Sequence, residues 1–345
     1  MNHPNALTRR RRTRAIGLVG ATTSLLLLTG CGAGVAASTD GTTESDDTSL
    51  TIENCGRELT ITGVPAAVVG MSPSQTELLL RLGLVDRMVG QAQVDTTALP
   101  ADLAELAADI PVLSDAQPPA REELFVVHPD FVYSPTTYEF TAEQGFASLD
   151  QLEESGVDAY VATGGCFDRR MEGTVDDLFV DLENLGRIFQ VEDEAAAMIS
   201  AAQTELDTVA AAIDGLDKPK VAQVYVEGTT LSAIGAGIEY DILRLAGADN
   251  VFGPDDDAFS DFFAAQISPE ALAVEAPDAI VFSASNPAQE QATRDYLTAT
   301  FPDLPAVAND RLIAVSAADT FPGTLGNVAL VRRIAEALHP DAFAG

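Results

Sequence analysis

The stretch 192–214, EDEAAAMISAAQTELDTVAAAID, decides the fold. Its larger apolar residues fall at Met198, Ile199, Leu206, Val209 and Ile213, with Ala195, Ala202 and Ala210 on the same stripe. That is helical spacing with one buried face and an acidic opposite face. Asp193 and Glu194 suit the positive helix end, and Gly215 and Pro219 stop the helix. About 22 residues at roughly 1.5 Å each make a rod of about 33 Å, enough to cross a small domain. The chain on either side repeats one layout, so the reading is two lobes held apart by a stiff strut.

Ahead of the strut, short apolar segments at 66–70, 88–92, 111–113, 130–134 and 157–162 read as strands. Helices are predicted at 74–83, opened by a Ser74/Glu77 capping box, and at 175–189. Beyond it, strands at 220–226, 278–283 and 311–316 alternate with helices at 239–247, 269–276, 291–299 and 327–338. Such alternation predicts parallel α/β structure in both halves. The halves also match in detail. LLLRLGLVDRMVG (78–90) resembles DILRLAGADNVFG (241–253), and REELFVVHPDFVYS (121–134) aligns with PEALAVEAPDAIVFS (269–283). Glu122 precedes Pro129 by the same interval as Glu270 precedes Pro277, and each Pro-Asp opens a hydrophobic strand. The match implies pseudo-twofold lobes with a cleft between them.

A chain of 345 residues is long enough for two cores. Its net charge is -34, and the five arginines Arg9–Arg12 and Arg14 all precede Cys31. Such an acidic surface repels phosphate backbones and excludes nucleic-acid binding. The basic RRRRTR is followed by the apolar run AIGLVGATTSLLLLT (15–29), too short to span a bilayer of about 30 Å, which reads as a signal peptide. Its arginines fit a simple basic leader or twin-arginine export equally well. LTGC (28–31) resembles the bacterial lipobox, which implies a diacylated Cys31, durable membrane anchoring and an extracellular position. The polar, acidic residues after it read as a flexible tether of about 25 Å mean reach. Two cysteines remain, Cys55 and Cys166. In an exported protein they form a disulfide or, alternatively, stay as buried thiols.

From residue 53 to 343 the chain resembles the cobalamin and ferric-siderophore solute-binding proteins of bacterial ABC importers, in a lipoprotein, actinobacterial branch. The resemblance rests on SPSQTELLLRLGLVDRMVG (72–90), the two Glu-x6-Pro-Asp strand entries, the strut, NVALVRRIAEALHPDAF (327–343), NCGRELTI (54–61) and EQGFASLDQLEESGV (143–157). It implies α/β lobes with parallel-rich sheets joined by one long interlobe helix. The expected organisation is a signal peptide over 1–30, a lipidated Cys and tether over 31–52, a first lobe over 53–190, the interlobe helix over 191–216 and a second lobe over 217–345. The resemblance also implies that Glu122 and Glu270 dock into arginine pockets of a permease. Each glutamate also sits in the first turn of a predicted helix, where an acid stabilises the helix dipole regardless.

A ligand between the lobes would meet loops after the carboxyl ends of strands. Candidate contacts are Ser72, Tyr133, Tyr138, Phe167 and Arg169 from the first lobe. From the second come Tyr225, Glu227, Phe259, Phe262, Asn286 and Phe321. Aromatic walls with scattered hydroxyls suit a large, partly apolar chelate. Few arginines fall near these loops, so a neutral or cationic ferric hydroxamate is expected rather than an anionic catecholate. Cobalamin and haem are the alternatives in the same fold. No resident cofactor or metal is expected, little lobe closure, and a monomer.

Free-ion capture needs several converging ligands, whereas only His128 and His339 remain after the leader, both before prolines. An exported hydrolase is the alternative of a different class. VGMSPSQ (69–75) has G-x-S without the full elbow, and Glu227 and Asp257 show no spacing that favours a catalytic pair. The reading is a binding protein, not an enzyme.

Overall fold

A hairpin opens the described part of the chain, which in this computed structural model covers residues 49–344. The basic leader, Cys31 and the tether up to residue 48 lie outside the described residues. Ser49–Asn54 (β1) and Arg57–Thr62 (β2) pair antiparallel, with Asn54 opposite Arg57. The turn residues Cys55 and Gly56 both have positive φ, 52° and 68°, which matches the twist of the paired strands. Ile52 and Ile61 turn inward to the core. β1 therefore lies partly inside the span read as tether. The alternation of Leu50 and Ile52 with polar neighbours is a strand signal that the Ser/Thr/Asp-rich run before it obscures.

The first lobe holds Val68–Gly70 (β3), Met88–Gln91 (β4), Phe131–Ser134 (β5) and Asp158–Val161 (β6), with Pro73–Arg81 (α1), Ala101–Ala107 (α2), Arg121–Val126 (α3), Leu149–Glu154 (α4) and Asp177–Phe189 (α5). Its strands run parallel in the order β4-β3-β5-β6. Buried on both faces, they read as short continuous apolar runs. Residues 111–113 contribute only a bridge between Gln91 and Val112. The capping box at Ser74 does not form. α1 begins at Pro73 with Ser72 as its cap residue, which leaves Ser74 inside the helix, and Glu77 instead pairs with Arg81 at 2.7 Å.

Glu192–Ile213 (α6) is the strut. Ala195, Ala202 and Val209, two turns apart, are its buried stripe, while Ala210 is exposed. α6 packs against α5 and against Gly326–Leu338 of the second lobe, where Arg332 reaches Glu205 at 2.9 Å. One continuous core runs through Phe131 and Tyr160 of the first lobe, Ala202 and Val209 of α6, and Val221, Ile242 and Val281 of the second.

The second lobe contains Lys220–Glu227 (β7), Thr230–Ile234 (β8), Asp249–Asn250 (β9), Ala264–Gln266 (β10), Ala279–Ala284 (β11) and Leu312–Ser316 (β12). Its helices are Gly237–Leu245 (α7), Pro269–Glu275 (α8), Pro287–Thr300 (α9), Pro305–Ala308 (α10) and Gly326–Leu338 (α11). The order is β10-β8-β7-β11-β12, with β9 also on β7. β7, β11, β12 and β9 pair parallel, but β8 is antiparallel to both β7 and β10. This lobe is parallel-rich rather than parallel throughout. A two-residue turn at Gly228–Thr229 folds β8 straight back, and the small side chains of TLSAI (230–234) gave it no long apolar run.

The repeated Pro-Asp has a structural reason. Asp130 accepts from the backbone N–H groups of Ala66 and Ala67, each at 2.8 Å, and Asp278 accepts from that of Lys220 at 3.0 Å. In each lobe the aspartate clamps the start of the neighbouring central strand.

Candidate functional site: the interlobe cleft

Loops after the carboxyl ends of β3, β5, β6, β11 and β12 converge between the lobes, where α/β sheets place ligands. They enclose a cavity of about 360 Å³ lined by Gly164, Arg170, Tyr225, Ser232, Glu239, Phe263, Ser283, Ser285 and Phe321 among others. A smaller cavity of about 60 Å³ shares Ser285, Ala317 and Phe321 with it and adds Ser72, Ser74, Gln93 and Glu139. Phe321 stands where the two meet. Another hollow, about 330 Å³, lies between the hairpin and α4, away from the strand ends. Its Arg57 is already held by Glu153 and Asp150.

The cleft is fastened across the lobes. Gln75 Nε2 donates to the carbonyls of Pro322 and Gly323 at 3.2 and 3.3 Å, and the Tyr133 hydroxyl donates to Gly323 O at 3.4 Å. The Ser72 and Ser74 hydroxyls in turn donate to Gln75 Oε1, which orients its amide. Beneath this seam Asp181 accepts from Thr163 N, Thr163 Oγ1 and Tyr160 OH at 2.6–2.8 Å, all on one carboxylate oxygen. The other oxygen is buried without a partner. Burial pushes the Asp181 carboxyl up to about 7, against the pull of those hydrogen bonds.

The charged groups lining the cleft are one guanidinium and two carboxylates. Arg170 lies with Cζ 4.7 Å from the centre of the Phe263 ring. Its backbone is held against the start of α7, where Gly237 has φ +73° and donates to Met171 O at 3.0 Å. A Cβ at Gly237 would stand 2.6 Å from Arg170 O, so only glycine allows this approach. Glu239, two residues on, is pushed up to about 7 by burial, with Arg170 acting in the opposite sense. Glu139 is also raised by burial, but Thr136 Oγ1 at 2.6 Å and Ser134 Oγ at 3.2 Å donate to it.

Of the residues proposed from sequence, Ser72, Tyr225 and Phe321 line the cleft. Phe262 is half exposed and stacks on Phe263 at 4.4 Å, so its neighbour forms the wall. Tyr138 lies outside the lining, edge-on to Phe146. Several others are corrections. Tyr133 is fully buried and reaches the seam only through its hydroxyl. Phe259 is a core side chain, 1% exposed, packed against Gly235 and Phe252. Phe167 is 86% exposed and does not line the cavity. Arg169 spends its guanidinium on Asp177 at 2.6 and 2.9 Å. Glu227 sits at the β7–β8 turn, and Asn286 caps α9 by accepting from Gln289 N at 2.9 Å.

Arg170, Glu239 and Ser285 are the main additions. Arg170 is indistinguishable by type from Arg169 beside it. Glu239 reads in sequence as an ordinary first-turn acid. Cys55 and Cys166 form a disulfide that ties the hairpin turn to the loop leading to Arg170. Glu122 and Glu270 both lie on the surface, at the starts of α3 and α8.

The sequence profile of a family described as periplasmic binding protein matches residues 68–318. Three solved structures share the fold. A periplasmic binding protein from Veillonella parvula is 24% identical, with a TM-score of 0.75 over 85% of this chain and 99% of its own. A protein of an ABC-type Fe3+-hydroxamate transport system from Saccharomonospora viridis is 22% identical, TM-score 0.67, over 84% and 99%. A periplasmic heme-binding protein from Pseudomonas aeruginosa is 23% identical, TM-score 0.62, over 80% and 94%. No curated protein matches by sequence.

Architecture alone does not fix a role, and it is the family match that makes this two-lobed chain a binding protein. The chain belongs to the periplasmic binding protein family. No helix among the described residues is long and apolar enough to cross a membrane.

Proposed function

We propose that this protein is a lipid-anchored, extracellular solute-binding protein that captures a ferric hydroxamate siderophore and delivers it to an ABC importer. The observation that carries the chelate class is the charge of the cleft, with Arg170 against Glu239 and Glu139. Catecholate chelates and haem propionates are anionic and want several cations, whereas three singly charged hydroxamates neutralise Fe3+, so their chelate is neutral, or positive where an arm carries an amine. Tyr225, Phe263 and Phe321 supply apolar wall for its linker arms. The Saccharomonospora relative, named for hydroxamate transport, supports the same reading.

Delivery would use Glu122 and Glu270 as matched carboxylates against permease guanidinium groups, with Cys31 as the lipid attachment after cleavage of the leader. The working unit is a monomer, and no cofactor or nucleic acid takes part.

The test is tyrosine fluorescence of the mature protein, which has no Trp, titrated with ferric hydroxamates, ferric catecholates, haem and cobalamin. Saturable quenching by hydroxamates is expected, because Tyr225 lines the cavity. Tighter binding of a catecholate, haem or cobalamin would overturn the chelate class and leave the importer role standing.

A further inference from the structure

Two charged groups in the cleft lack a hydrogen-bond partner, although Arg170 lies near enough to Glu239 to oppose the upward push of burial on it. Among the described residues, neither the Arg170 guanidinium nor the Glu239 carboxylate makes a side-chain hydrogen bond or an ion pair within 4.0 Å, although both line the same cavity. The other cleft carboxylate, Glu139, is satisfied by two hydroxyls. The adjacent Arg169 is satisfied by Asp177.

A ligand that fills the cavity removes water from both groups. Covering a carboxylate without giving it a donor costs affinity, and the cost is larger for a charge than for a neutral group. Arg170, held over the Phe263 face, can take an acceptor oxygen of the chelate. Glu239 then needs a donor from the same ligand. A hydroxyl would satisfy its hydrogen bonding but would not hold the carboxyl in its charged form against the burial that raises it. A protonated amine does both.

We infer that the ligand carries a primary ammonium group, and that Glu239 is the residue that receives it. The inference rests on the chelate reading and narrows it to amine-bearing chelates. Glu239 thereby sets specificity, while Arg170 and the aromatic walls hold the body of the ligand.

The experiment compares two probes on the mature protein: a ferric tris-hydroxamate with one free primary amine, and the same chelate with that amine acetylated. The wild type is expected to bind the amine form at least tenfold more tightly. Glu239→Gln should abolish that preference by weakening the amine form and tightening the acetylated one, and Glu239→Asp should restore part of it. An unchanged thermal melt establishes that each variant folds.

Equal affinity of the wild type for both probes overturns the inference and leaves the hydroxamate reading intact. Equal weakening of both probes by Glu239→Gln also overturns it, because the residue would then only shape the cleft. Binding of neither probe overturns both.

Discussion

His128 and Ala276 occupy the same left-handed backbone conformation, with φ of 48° and 47°, each one residue before a Pro-Asp. Side chains other than glycine rarely adopt it, and a following proline disfavours helical backbone further. The lobes therefore share a costly turn as well as a sequence pattern. Each turn ends a short helix that exposes a glutamate near its start, Glu122 and Glu270, and a valine one turn later. Val126 and Val274 are 73% and 80% exposed.

Paired acid-and-valine tips make the docking proposal specific. Reversing both glutamates to Arg should abolish uptake into cells and leave chelate affinity unchanged. Replacing Val126 and Val274 by Asp should lower uptake less, through loss of an apolar contact beside each ion pair. Transport assays with labelled chelate read both, and a loss of affinity would put the glutamates at the wrong site.

The disulfide should contribute substantially to stability. It closes a span of 111 residues, and loss of a disulfide typically costs about 2 to 4 kcal/mol, with long loops at the upper end. Cys55→Ser with Cys166→Ser should lower the denaturant midpoint accordingly. Chelate affinity should fall as well, since Cys166 holds the loop leading to Arg170. Unchanged affinity would show that Gly237 alone positions that loop.

Acid should stabilise the seam. The Asp181 carboxyl is raised to about 7 from an ordinary value of 3.8. The folded state therefore holds a proton that the unfolded state has released, in the window between about pH 4 and 7. Stability contributed by this group is present at the low end and is lost as pH rises through 7. Each tenfold displacement in proton affinity is worth about 1.4 kcal/mol. The melting temperature should fall between pH 5 and 8, and Asp181→Asn should flatten that slope. A slope that persists in the variant would assign it to Glu239, to Asp158, which burial raises to about 6, or to the net acidic charge.

The neighbouring arginines should separate in their effects. Arg170→Ala should weaken chelate binding with little change in the melt, because its guanidinium has no protein ion pair. Arg169→Ala should do the reverse, since it strips a bidentate partner from the nearly buried Asp177. Calorimetric titration beside thermal denaturation distinguishes the two.

The strut was legible because a 3.6-residue period over six turns has few competing explanations. The strand entries were legible because Asp130 and Asp278 each solve a backbone problem by the same residue at the same place. The hairpin and β8 were not, because short strands of Thr, Ser and Ala carry little periodic signal. Cleft residues were harder still. Whether Phe259 or Phe263 faces the ligand depends on the turn between them, and whether Arg169 or Arg170 does depends on where Asp177 and Gly237 lie. Those are tertiary facts with no local signature.

The continuous core from Phe131 through Val209 to Ile242 has a mechanical result. Swinging the lobes apart would open that interior, so we propose a pair of calipers held near one gauge. A transporter gripping both tips would measure the same span whether the jaws were empty or full. Under the proposed docking, notice of cargo would then have to come from the mouth of the cleft, where a transporter could touch a bound chelate.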